Sequence, residues 1–167
     1  LTMISGRALK FGDNVNTDVI LPGKYLVLTL NPEELARHAM EGLDPGFSER
    51  ARGGAILVAG RNFGCGSSRE EAPTALKHAG VRCVLAESFA RIFFRNAINI
   101  GLPVLECPGA SGKVDEGDRL SVDLREGLVR NESKNLELRA TRLPQFLMEI
   151  IEDGGLIEHL KKRRGPG

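Results

Sequence analysis

Apolar positions fall into different regimes along this chain. Between residues 55 and 106, short apolar runs alternate with longer segments of helical period. The runs 55–59, 81–86 and 102–106 are bounded by glycine or polar turn formers, as strands covered on both faces are. Between them, 70–79 closes on Gly80, and 88–99, with Ser88 as cap, is followed by Gly101. Both read as helices with a C-terminal glycine stop. Strand–helix–strand–helix–strand predicts a parallel layer covered by helices.

The flanks read differently. Residues 7–11 form a strand candidate, 12–18 a polar loop of Asx and hydroxyl turn formers, and 19–21 a brief apolar return before Pro22-Gly23. The apolar stretch 24–29 fits either a strand or an exposed loop with apolar tips. Asn31 caps a helix that has Pro32 first and runs to about Met40, with Leu35, Ala39 and Met40 inward. Residues 44–54 are a loop or short turn. From Lys113 the period turns to two. Residues 118–124 alternate, and 128–130 and 136–139 flank a polar turn as a hairpin. Residues 144–152 close the fold as a helix with Phe146, Leu147, Ile150 and Ile151 on one side, and 156–162 form a last short helix.

Composition narrows the class. The 167 residues are 41% hydrophobic and 27% charged, which predicts one globular domain, 1–167, with its own core. A net charge of +1 gives no general attraction to nucleic acid or acidic membrane, and no apolar run approaches the roughly 20 residues of a membrane span. The first five residues do not have the pattern of a secretory signal. Cys65, Cys83 and Cys107 are odd in number and widely spaced, which fits reduced thiols in a cytoplasm and argues against a metal or iron–sulfur site within this chain. His38, His78 and His159 are scattered over predicted helices and read as solvated or capping residues. Arg91 and Arg95, four apart on a helix, read as surface side chains, and Asn96 and Asn99 as caps or surface.

The chemistry concentrates in Gly60-Arg61-Asn62-Phe63-Gly64-Cys65-Gly66-Ser67-Ser68-Arg69-Glu70-Glu71, between a strand and a helix. Glycines let backbone approach a ligand, and the free N–H groups of a helix start favour an anion. Ser67 with Glu70, or Ser68 with Glu71, has capping-box spacing, and Arg69 offers a fork for a carboxylate. A well-capped helix alone would also explain the pattern. Gly64-Cys65-Gly66 continues to Arg69 where a dinucleotide fingerprint needs glycine, and no Walker-type phosphate loop is present.

Three motifs carry a resemblance. Residues 12–22 (GDNVNTDVILP), 60–70 (GRNFGCGSSRE) and 88–96 (SFARIFFRN) resemble, in order, the small subunits of 3-isopropylmalate dehydratase, the separate swivelling domain of the aconitase superfamily. The resemblance covers roughly 5–160. It implies a three-layer β/β/α swivelling domain, with a parallel strand–helix core plus a C-terminal β region and helices. It also implies a large subunit carrying a [4Fe–4S] cluster, in a heterodimer or heterotetramer, and a small dicarboxylate substrate. Ser67 would be the base, acting as an alkoxide; Arg69 would hold a substrate carboxylate, Ser68 would orient it, and Asp13 and Asn16 would face the cleft. Asn16 stands where some relatives carry serine.

In that family the loop Tyr25-Leu26-Val27-Leu28-Thr29 meets the variable group of the substrate. Relatives acting on tricarboxylates place arginine there; this chain places Leu26, Val27 and Leu28, an apolar lining that fits an isopropyl group. Leu28 replaces a usual tyrosine, which leaves room for another alkyl-substituted malate. The small chain of a homoaconitase or a dimethylmalate dehydratase is the related alternative. An anion-binding module is the unrelated one, and it leaves the motifs at 12–22 and 88–96 unexplained.

Overall fold

In the computed structural model, which describes residues 3–164, the centre is β2 (Ala55–Ala59), every residue of which is buried. The alternation of a strand sends its side chains to two different cores. Ala55, Leu57 and Ala59 join one apolar cluster, and Ile56 and Val58 join the other. β1 (Met3–Lys10) and β3 (Val81–Ala86) flank β2 in parallel, and β4 (Val104–Glu106) extends the parallel set. On the other side of β1 the sheet continues antiparallel through β5 (Arg119–Asp123), β6 (Leu128–Asn131) and β7 (Leu136–Arg139), giving the order β4-β3-β2-β1-β5-β6-β7.

The second cluster joins Ile56, Val58, Cys83 and Leu85 to Leu120, Val122, Val129 and Leu138. The antiparallel arm therefore curls over one face of the parallel strands. Most helices cover the opposite face, while the short helix Ala110–Lys113 packs with the second cluster through Ala110; the three layers expected from the resemblance are thus helices over one continuous curled sheet. The helices are α1 (Thr17–Ile20), α2 (Pro32–Ala36), α3 (Phe47–Ala51), α4 (Glu71–Ala79), α5 (Arg91–Asn99), α6 (Ala110–Lys113), α7 (Gln145–Glu152) and α8 (Leu156–Arg164).

Several boundaries differ from the sequence reading. β1 starts four residues earlier than expected. Residues 19 and 20 of the apolar return belong to α1, and the 44–54 turn contains α3. Asn31 does cap α2, its Oδ1 accepting from the N–H groups of Glu33 and Glu34, but regular helix stops at Ala36 and turns carry the chain on to buried Ala39 and Met40. α5 begins at Arg91, not Ser88; Ser88 Oγ instead accepts from the N–H of Asn62. On α7, Phe146 faces outward at 63% exposure, and Met148 takes an inward place beside Ile150 and Ile151.

The C-terminal ends of β1, β2 and β3 lie at one edge of the parallel layer, the usual place for ligands in such sheets. Their three following loops meet there.

Candidate active site

The loop after β2 is clamped from both sides by backbone hydrogen bonds. On the β1 side, Gly60 N–H donates to Gly12, Asn14 to Arg61, Gly64 to Val15 and Thr17 to Cys65, all at 2.8–3.0 Å. On the β3 side, Phe63 N–H donates to Ser88 and Ala90 N–H donates to Phe63. Asp13 Oδ1 accepts from Arg61 N–H at 2.7 Å, and Asn16 Oδ1 caps α1 by accepting from Val19 N–H at 2.9 Å. The polar residues of 12–18 thus build the wall that holds the glycine loop. Beneath it, Phe63 packs edge-on against Phe93, ring centroids 5.2 Å apart.

This clamp leaves Ser67 and Ser68 exposed on a cleft of about 210 Å³. Thr17, Ser67, Ser68 and Arg69 form one side and Arg91, Ile92 and Asn96 the other. Asp13 and Asn16 are not among its lining residues; their side chains are spent on the loop itself.

The helix expected over 70–79 is present as α4, but the cap expected for it is not. α4 begins at Glu71, its cap position Glu70 has helical backbone, and no side chain caps it, so neither Ser-x-x-Glu pair forms a capping box. The helix N-terminus that does open on the cleft is that of α5. Its cap residue Ala90 has no side chain that can fill the free N–H positions, and Ala90, Arg91, Ile92 and Phe93 all line the cleft. On the near side, the N–H groups of Gly66 to Arg69 have no backbone or side-chain acceptor among the described residues. Donors therefore face the Ser67 region from two directions.

Arg69 is anchored. Its Nη1 donates to Asp18 Oδ1 and to the Leu21 carbonyl, both at 2.9 Å, and Nη2 lies under Gly23. The Gly23 N–H and then the Arg69 guanidinium hold the Asp18 carboxyl below its ordinary range. Arg91, read from the sequence as a surface side chain, lies across the cleft, with no carboxylate in ion-pair reach among the described residues. Asn96 lines the cleft too, and Thr17 was not singled out at all. The SFAR segment in the third motif was the available signal: it places Arg91 at the first turn of α5.

Comparison with known proteins accords with this geometry. The aconitase C-terminal domain family matches residues 36–109. The 3-isopropylmalate dehydratase small subunit of Halothermothrix orenii is 58% identical over 158 residues, 95% of each chain. The chain belongs to the family of 3-isopropylmalate dehydratase small subunits. Within that family it is also 56% identical to the methanogen homoaconitase small subunit of Methanothermobacter thermautotrophicus, over 96% of this chain and 92% of that one. The crystal structure of 3-isopropylmalate dehydratase from Methanocaldococcus jannaschii superposes with a TM-score of 0.92 at 45% identity, covering 97% of this chain and 95% of that chain.

The stretch 25–29 is a turn, not a strand. A 3-10 segment, Gly23–Tyr25, leads into it; Tyr25 and Leu26 pack on the core, while Val27 and Leu28 stand out at 86% and 77% exposure. Tyr25 anchors the base of the loop. Its ring stacks on His38 at 3.7 Å, its hydroxyl donates to Glu41, and His38 Nδ1 lies 2.9 Å from the same carboxylate. The bond to Glu41 raises the Tyr25 pKa. His38 is thus a partner in packing rather than a solvated residue, and His159 is likewise held by Asp153 at 2.7 Å.

The cysteines do not fit a cluster. Cys83 and Cys107 are buried in the sheet core, where burial raises both thiols, Cys107 to about 11. Among the described residues no three His, Cys, Asp or Glu side chains converge as a metal site.

Proposed function

We propose that this chain supplies the proton-transfer half of a hydro-lyase that interconverts 2-isopropylmalate and 3-isopropylmalate. In this reading Ser67 takes a proton from the carbon beside a carboxylate. The C–H electron pair becomes the double bond of an alkene diacid, and hydroxide leaves the neighbouring carbon with its own pair. Readdition of water in the opposite sense gives the isomer. Hydroxide departure belongs to the large subunit, which the family resemblance makes the carrier of a [4Fe–4S] cluster. Three unpaired cysteines accord with a cytoplasmic complex.

The observation that carries the reading is the placement of Ser67 in a cleft faced by the α5 N-terminus and Arg91. A serine hydroxyl is a very poor base in water. Its anion becomes accessible only where fixed donors and positive charge stabilise it. The Gly66 to Arg69 amides, the α5 start and two guanidiniums are such groups. Ser68 and Arg69 take a substrate carboxylate, with Arg91 opposing them; Asp13 and Asn16 serve by holding the loop.

The loop 25–29 selects the substrate. Val27 and Leu28, exposed in this chain, are surfaces for an isopropyl group, and a third carboxylate against them would lie unpaired. Identity alone does not separate substrates, since the homoaconitase relative is nearly as similar as the dehydratase one. The apolar loop favours the alkyl-malate reading.

The test is Ser67→Ala, reconstituted with the large subunit and assayed for alkene formation from 2-isopropylmalate. Turnover is expected to be lost while the subunits still co-elute. A variant that retains most of its turnover rules out Ser67 as the base.

A further inference from the structure

A second cleft opens at the opposite end of the sheet, where β2 and β3 begin. It encloses about 480 Å³ and is lined by Arg7, Arg50, Arg52, Arg82 and Arg119, with Glu132 as the carboxylate in its wall. A chain of net charge +1 does not predict five arginines around one acid.

Their arrangement is unfavourable on its own. Arg7 on β1 and Arg119 on β5 are direct partners in the antiparallel register, a like-charge pairing that destabilises a sheet. Asp44 and Glu116 pair with Arg50. Among the described residues no carboxylate lies within ion-pair reach of Arg7, Arg52, Arg82 or Arg119. Arg82 is nevertheless held in place: Nη1 donates to the Ser5 carbonyl at 3.1 Å and Nη2 to the Gly53 carbonyl at 2.9 Å. Gly54 makes room for it, since a Cβ there would sit 2.2 Å from Arg82 Nε. A guanidinium fixed by two carbonyls keeps its remaining N–H groups for another acceptor.

A longer groove of about 730 Å³ adjoins the cleft, sharing Gly54 and Arg82 and continuing past Lys77 and over Met3 and Ile4, Met3 being 59% exposed. Concentrated positive charge thus leads into an apolar wall. We infer that this cleft is an anion site for a small molecule bearing two or more phosphates, whose organic body lies along Met3 and Ile4. Several unneutralised guanidiniums call for a ligand of several charges, and their planar forks suit phosphate oxygens. The five residues of β2, roughly 17 Å of strand, separate this cleft from the Ser67 loop, so both can be filled at once.

Calorimetric titration of the full chain at low ionic strength, with sodium tripolyphosphate and with ATP, tests the inference. Both are expected to bind, ATP tighter by about fourfold or more through its apolar contact. Arg82→Gln and Arg119→Gln should each weaken binding by about tenfold, while Arg139→Gln, on β7, leaves it unchanged. Both cleft substitutions are at exposed positions, and melting curves confirm that the variants are folded. Equal affinity for the two ligands keeps the phosphate site and overturns its organic half, assigning it to inorganic polyphosphate. Absence of binding, binding undiminished in both cleft variants, or preference for a duplex oligonucleotide over ATP overturns the site as a whole.

Discussion

The hydroxyl of Thr17 donates a 2.7 Å hydrogen bond to the backbone carbonyl of Ser67. Thr17 is 3% exposed and begins α1, so a buried side chain from the β1 loop fixes the peptide of the proposed base in the β2 loop. Thr17→Val keeps the shape and removes the donor. It is expected to lower stability by about 1 kcal/mol and kcat by about tenfold or more, with KM little changed, because the misplacement acts on the proton-transfer geometry. Melting curves and steady-state kinetics of the reconstituted complex separate the two effects. An unchanged kcat would reduce Thr17 to a purely structural tie.

The parallel core was legible because β2 is a continuous apolar run and β3 is one but for Arg82, each preceded by glycine, and burial on both faces leaves that signature. The glycine–serine loop was legible as the turn between β2 and α4, but the capping of that helix was not. Local spacing nominated Ser67 and Glu70 as a cap; the fold instead brings up the start of α5 from beyond β3. No local pattern encodes which helix terminus crosses to a loop on another strand. Arg91 was missed for the same reason, since an arginine in a first helical turn looks like surface until tertiary structure sets something opposite it. Likewise the resemblance set Asp13 and Asn16 facing the cleft, while their Oδ1 atoms accept from the N–H groups of Arg61 and Val19.

Arg91 gives the sharpest test of that tertiary contribution. Arg91→Gln removes the charge opposite Ser67 while retaining a hydrogen-bonding side chain at an exposed position. The expected outcome is a loss in kcat/KM of about tenfold to a hundredfold with no change in melting temperature. Arg95→Gln, one turn further along α5, should be silent. Equal behaviour of the two variants would return Arg91 to the surface role first read from its spacing.

Gly64 and Gly66 both have left-handed backbone, φ 83° and 96°, but in different surroundings. A Cβ at Gly64 would lie 2.3 Å from Phe93 Cβ, inside the aromatic packing under the loop, whereas one at Gly66 meets nothing closer than 3.5 Å. Gly66→Ala should therefore cost only the backbone strain, of order 1 kcal/mol. Gly64→Ala adds overpacking and should cost about 2–4 kcal/mol in all. Denaturant midpoints measured side by side check the ordering; similar losses would show that Phe93 moves aside freely.

Val27 is the position from which substrate choice should be alterable without harm to the fold, because at 86% exposure it packs on little of its own chain. Val27→Arg is predicted to shift the kcat/KM ratio toward a tricarboxylate such as homoaconitate by about tenfold or more, leaving the melting temperature in place. Tyr25→Phe, which removes the bond to Glu41 but keeps the stack on His38, should raise KM for every substrate alike. A ratio unmoved by Val27→Arg would place specificity outside this loop.

The two core thiols give the protein a calculable weakness in alkali. Burial raises Cys107 from 9.0 to about 11 and raises Cys83 further, with each facing the interior of the sheet. Between about pH 9 and pH 11 the unfolded chain releases the Cys107 proton while the native one retains it. The native state then binds more protons than the unfolded state, and unfolding becomes more favourable as pH rises. Each such thiol lowers stability by about 1.4 kcal/mol per pH unit across that window. Cys107→Ser would exchange this slope for a fixed loss, so Cys107→Ala, which introduces no hydroxyl, is the better probe. Its stability at neutral pH should fall through the lost packing, while its decline from pH 9 to 11 should be shallower than that of the native chain. The same burial predicts that iodoacetamide at pH 8 alkylates Cys65 alone, readable by mass spectrometry. Labelling of Cys83 or Cys107 without denaturant would mean that the sheet opens locally, and the alkaline slope would then be smaller than stated.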